Sequence, residues 1–140
     1  MDIASIDKNF KLETELDLPD VCFYNVKEAP FAVYGVFYEN GIFRRMPGAV
    51  AKTVSDGVVN LHARTAGGRV RFLTDSPYVA ISAKMPCVAK MSHFPLTGSS
   101  GFDLYVGDRY TASLPPPFTI SHGYERAVRF PTAEGPSFTF

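Results

Sequence analysis

Asp103 stands inside an apolar run. In Gly101–Tyr110 (GFDLYVGDRY), Phe102, Leu104 and Val106 alternate with Asp103 and Tyr105, and a second acid, Asp108, precedes Arg109. A carboxylate so placed has three uses: proton transfer, acceptance of ligand hydroxyls, or pairing with a cation that offsets its desolvation. Glycoside-type acid–base chemistry needs two carboxylates that meet in space, and Asp75, Asp103, Asp108 and Glu125 are the candidates; no pattern singles out two of them. A serine nucleophile would call for a G-x-S-x-G elbow between strand and helix. Gly98-Ser99-Ser100-Gly101 has the wrong spacing and reads as a flexible loop before the next strand. Gly67-Gly68-Arg69 lacks the G-x-x-x-x-G-K-[ST] order of a phosphate loop and reads as a turn. His62, His93 and His122 are scattered, and Cys22 and Cys87 lie far apart without a CxxC, so no zinc set is indicated. The thiols are expected to be reduced and half-buried. No catalytic residue, metal or cofactor is assigned.

Six of the eight arginines come in pairs: Arg44 and Arg45, Arg69 and Arg71, Arg126 and Arg129. A charged outer sheet face is the simpler account, since exposed ion pairs are common and weak. The alternative is a shallow groove with tyrosine walls, in which guanidinium groups grip carboxylated or hydroxylated ligands. Arg71, Asp103, Tyr105 and Arg126 are the candidate binding residues. Asp103 is expected to accept from Arg71 or Arg126 and so hold the sheet in register.

The elements that would carry these residues are strands. Val21–Val26 and Phe31–Tyr38 are β-type runs, and Asn40-Gly41 predicts a two-residue hairpin turn into Ile42–Arg45. Ala49–Ser55 is the one plausible helix, with Val50 and Val54 four apart on a shared buried face. Arg69–Thr74 places Arg69, Arg71 and Leu73 on one face and Val70 and Phe72 on the other. Across the turn Asp75-Ser76-Pro77, Tyr78–Met85 is expected to return as its hairpin partner. A run at 88–93, the pair Gly101–Val106 and Arg109–Ser113 around Gly107-Asp108, and Tyr124–Phe130 complete the series; Pro115-Pro116-Pro117 is a rigid connector. Short strands at close intervals predict an all-β fold, a jelly-roll-like antiparallel β-sandwich with at most one short helix.

A chain of 140 residues has the size of one domain, and 46% apolar with 20% charged residues is a globular composition. One sandwich domain over 1–140 is expected, with 1–20 as a loosely ordered arm. Zero formal charge gives no electrostatic footprint for nucleic acid or an anionic membrane, and no apolar run reaches the ~20 residues of a span. The acidic start, without an apolar core, is not a secretory signal, so a cytoplasmic location is expected. At Ser137–Phe140 (SFTF) an alternation begins and stops; it reads as a boundary inside a larger unit or as a short last strand.

Three stretches together, TAGGRVRFLTDSPYVAI (Thr65–Ile81), GFDLYV (Gly101–Val106) and GYERAVRFP (Gly123–Pro131), resemble the N-terminal β-sandwich domain that precedes the catalytic domain of SGNH/GDSL-type esterases. That domain takes its name from a Gly-x-Asp-Leu-Tyr motif, matched by Gly101, Phe102, Asp103, Leu104 and Tyr105; the opening FYNVKEAPFAVYGVFY and Arg44–Pro47 (RRMP) fit as well. The resemblance runs from about residue 21 to the end. It implies an accessory, non-catalytic module that packs against a catalytic SGNH domain expected after residue 140, or helps to position an acylated carbohydrate. The serine block and the late Asp-x-x-His of such catalytic domains do not occur in these 140 residues. Two alternatives stay open: an autonomous carbohydrate-binding module, and a structural sandwich that forms a homodimer through an open strand edge after Phe140.

Overall fold

The computed structural model describes residues 16–18, 21–130 and, for the backbone, 137–139; the arm expected over 1–20 otherwise lies outside them, as do 131–136 and Phe140. Nine strands and three short helices follow in the order β1 (Ala32–Tyr34), β2 (Phe37–Glu39), β3 (Ile42–Arg44), α1 (Gly48–Val54), α2 (Asp56–Leu61), β4 (Arg69–Leu73), β5 (Tyr78–Lys84), α3 (Leu96–Ser100), β6 (Phe102–Val106), β7 (Arg109–Leu114), β8 (Gly123–Arg129) and β9 (Ser137–Thr139). Every pairing among them is antiparallel, as the alternation requires. The sheets are a five-stranded one ordered β1-β4-β9-β6-β7 and two pairs, β2–β3 and β5–β8.

Leu104 of β6, Leu114 of β7 and Val79 of β5 form the buried core. Phe72, Val106, Ile81, Val128 and Phe130 pack against them. The inward residues of the five-stranded sheet therefore meet those of the β5–β8 pair, and burying one face of each sheet is the term that holds the two together. Phe31 extends this layer, its ring centroid 5.3 Å from that of Phe72.

Turn chemistry sets the boundaries. Asn40 (φ 50°) and Gly41 (φ 87°) give the β2–β3 hairpin the two positive φ angles of a type I′ turn. Gly107 (φ 60°) supplies the one that a type II′ turn needs between β6 and β7. Gly35 (φ 75°) breaks the expected single run 31–38 into β1 and β2, which join different sheets. A Cβ there would lie 2.8 Å from the Gly67 carbonyl oxygen, so both backbone angle and space demand glycine.

Several expectations need correction. Residues 69–85 are not a hairpin: β4 pairs with β1 and β9, and β5 pairs with β8 along seven residues. Alternation fixes which face a residue takes but not which strand it pairs with. Val21–Val26 forms no strand, and of 88–93 only a Met91–Phe94 bridge pairs. Three helices replace the one expected. Ser55 ends α1 and caps α2, its Oγ accepting from the Val58 N–H at 3.3 Å, while α3 occupies what reads as a flexible loop. In α1 the buried residue is Ala51; Val50 and Val54 are 47% and 58% exposed, so the helix turns the Ala51 side, not the Val50–Val54 face, to the protein. Both cysteines are free and exposed rather than half-buried. Among the described residues β9 is hydrogen-bonded to β4 on one side and to β6 on the other, and β1 and β7 are the outer strands of its sheet.

Candidate functional site

Each residue of Gly101–Tyr105 has a separate physical task. Gly101 ends α3, and a Cβ on it would collide with the Thr97 carbonyl oxygen. Leu104 points inward and is fully buried. Asp103 and Tyr105 point outward with the opposite parity. Opposite them β7 carries a bulge: Leu104 faces Ala112, Tyr105 faces Tyr110, and Thr111 is the extra residue. The bulge brings Tyr110 and Ser113, three apart in sequence, to the same outer face.

On that face Ser113 Oγ donates to Asp103 Oδ1 at 2.7 Å, and Tyr110 Oη lies 3.0 Å from Ser113 Oγ. With the serine proton committed to the carboxylate, the phenol donates to the serine. The rings of Tyr105 and Tyr110 meet edge to face, centroids 5.9 Å apart at 77°. Arg71 occupies the same row of the sheet, because it pairs with Thr139, which pairs in turn with Tyr105. Two strand spacings, roughly 9.5 Å, separate β4 from β6.

The structure thus places Arg71, Asp103 and Tyr105 on one face of one sheet. Arg126 lies elsewhere, on β8, and its Nε donates to the Pro115 carbonyl at 3.1 Å. The expected Asp103–arginine bond is absent; serine takes its place, since β7, not β4 or β8, is the neighbour of β6 on this side. Tyr110 and Ser113 are not legible in the sequence as members of the cluster, because the bulge that brings them together has no signature in the run Asp108–Ser113 (DRYTAS).

A second polar cluster joins the β2–β3 hairpin to the helices. Arg44 Nε lies 3.3 Å from Glu39 Oε2, its guanidinium also contacts His62 Nε2, and Glu39 Oε2 accepts from the Gly48 N–H at 3.2 Å. His62 Nδ1 is 2.7 Å from the Val59 carbonyl, which fixes the tautomer: the proton sits on Nδ1 and Nε2 accepts from Arg44. Every strong group here has an internal partner.

The third feature is Tyr124, buried on β8. Its hydroxyl faces two carbonyl oxygens, Leu114 at 2.7 Å and Ser100 at 3.0 Å, and shares its single proton between them. Burial pushes its pKa from 10.0 up to about 12, with the nearby Arg126 charge pulling it partly back. Among the described residues no group of three or more His, Cys, Asp or Glu stands close enough to hold a metal. No described helix is long and apolar enough to cross a membrane.

The family model described as GxDLY, N-terminus of Esterase_SGNH_hydro-type, matches residues 21–115. Neither curated proteins nor solved structures gave a match. The match takes in the segment from Val21 through the β6–β7 hairpin to Pro115, and the chain therefore belongs to the GxDLY family, the N-terminal part of SGNH-type esterases.

Proposed function

We propose that this chain is a non-catalytic accessory module, one jelly-roll-like unit that packs against an SGNH catalytic domain and helps to position an acylated carbohydrate for it. The observation that carries the reading is the family match over 21–115, which includes the motif strand β6 and the face it presents. The roles of the polar residues support it. His62 is engaged by Arg44 and by the Val59 carbonyl, and Ser113 gives its proton to an exposed aspartate in place of a histidine. In the serine–histidine arrangement the base that takes the serine proton also returns it to the leaving group, and among the described residues the partners of Ser113 are Asp103 and Tyr110, with no histidine between them.

The test is a paired assay of the 140-residue chain and a version extended through the following domain, on acetylated xylo- and manno-oligosaccharides. Turnover by the longer chain alone is expected. Ester hydrolysis by the short chain that one point substitution abolishes would overturn the reading.

A further inference from the structure

The polar cluster on the outer face of β6–β7 has hydrogen-bonding capacity that the fold does not use. Polarity runs in one direction, from the Tyr110 hydroxyl to Ser113 and from Ser113 to Asp103, so the carboxylate is the terminal acceptor. An ionised carboxylate offers about four acceptor positions, and among the described residues Asp103 fills one of them, from Ser113. It is exposed and forms no ion pair among the described residues. Tyr110 is 59% exposed, and its edge-on contact with Tyr105 leaves ring surface open to a ligand. Arg71, also exposed, adds donors in the same row two strands away.

This combination selects a chemistry. An acceptor-only carboxylate favours ligands rich in hydroxyl donors and repels phosphates and carboxylates. Tyrosine faces accept the C–H face of a flat saturated ring. Arginine gives directed bonds to hydroxyl or ether oxygens. A nucleic-acid strand is disfavoured by Asp103 and by the zero net charge of the chain. We propose that Tyr105, Tyr110, Ser113 and Asp103, with Arg71, form a binding site for a neutral pyranose chain. A sugar ring lies on the tyrosines and its hydroxyls donate to Asp103, while Ser113 and Tyr110 hold that carboxylate in place. The inference rests on the accessory reading, giving the module a ligand to hold beside the catalytic domain.

The experiment is an amide-resolved NMR titration of the 140-residue chain with xylohexaose, cellohexaose and mannohexaose, each to about 10 mM, the range in which an open site of this kind binds. At least one hexaose is expected to shift the amides of residues 103–113 and of Arg71 in a saturable way. Tyr105→Ala and Asp103→Ala should each weaken binding about tenfold or more. The conservative Asp103→Asn and Tyr110→Phe, which preserve shape, should weaken it about threefold and guard against loss of fold, read from the spectrum itself. Silence of this face with all three sugars overturns the proposal, as do shifts confined to other surfaces. So does a face that responds only to the added catalytic domain, which would make it a docking surface. A silent titration leaves the accessory reading intact, and an esterolytic short chain leaves this titration intact, so the two failures are separable.

Discussion

The two faces of the β6–β7 hairpin are built from residues of the same two strands, yet they carry opposite kinds of energy. Inward, Leu104 and Leu114 are sealed against Val79, and the Leu114 carbonyl is held by the buried Tyr124 hydroxyl. Outward, Asp103, Ser113, Tyr110 and Tyr105 contact one another and water. Polar groups occur on both sides, so polarity does not separate structure from function here. What separates them is whether hydrogen-bonding capacity is used up within the fold. The inner carbonyls and the Tyr124 proton are matched, as are Glu39, Arg44 and His62 in the helix cluster. Among the described residues the outer carboxylate is not, and only unmatched capacity is available to a ligand.

The contrast is sharpest at Leu104. Truncation to alanine at a fully buried site loses the transfer energy of the removed atoms and leaves a cavity, so Leu104→Ala should cost about 3–4 kcal/mol in urea unfolding. Its neighbour Tyr105→Ala, on the other face, should cost no more than about 1 kcal/mol. Equal losses for the two would break the distinction between the faces.

Tyr124→Phe removes the proton shared by the Ser100 and Leu114 carbonyls while preserving the ring. Leaving these acceptors without a donor should cost about 1–3 kcal/mol, read in the same unfolding assay. The same residue sets an alkaline limit. Its folded pKa of about 12 exceeds the ordinary 10.0, so the folded state holds the proton more tightly than the unfolded one. The associated stability is full below pH 10 and is lost as pH rises from 10 to 12. Integrated over that window the loss is on the order of 2–3 kcal/mol at most. Wild-type chain should therefore lose more stability between these pH values than Tyr124→Phe does; parallel curves would remove Tyr124 from the account.

Much of the fold was readable because alternation and turn residues report local geometry. Val70 and Phe72 against Arg69 and Arg71, and the Asn40-Gly41 and Gly107-Asp108 turns, follow directly from parity and from positive φ. Partner choice is not local. Nothing within Arg69–Lys84 says that β4 and β5 part company, and nothing in Phe31–Tyr38 except Gly35 marks the change of sheet. The site divides the same way. Asp103 and Tyr105 share a face by spacing alone, whereas the company of Ser113 and Tyr110 depends on one extra residue, Thr111, in the opposite strand. Tyr124, the residue that ties three elements together, looks in the sequence like any other aromatic in an alternating strand.

The smallest stability effect is the most discriminating one. Ser113→Ala removes a hydroxyl that bonds only to exposed neighbours, so water replaces it and unfolding should shift by no more than about 0.5 kcal/mol. If the cluster exists to hold the sheet in register, as an Asp–arginine bond would have done, the loss should instead approach the cost of Tyr124→Phe and appear as altered amide shifts along both strands. If the cluster exists to hold Asp103 for a ligand, stability and register stay where they are, and the substitution shows only as weaker saccharide binding. The bulge favours the second outcome: a ladder already fixed by its turn at Gly107 and by the burial of Leu104 and Leu114 has no need of a solvent-exposed serine to set its register.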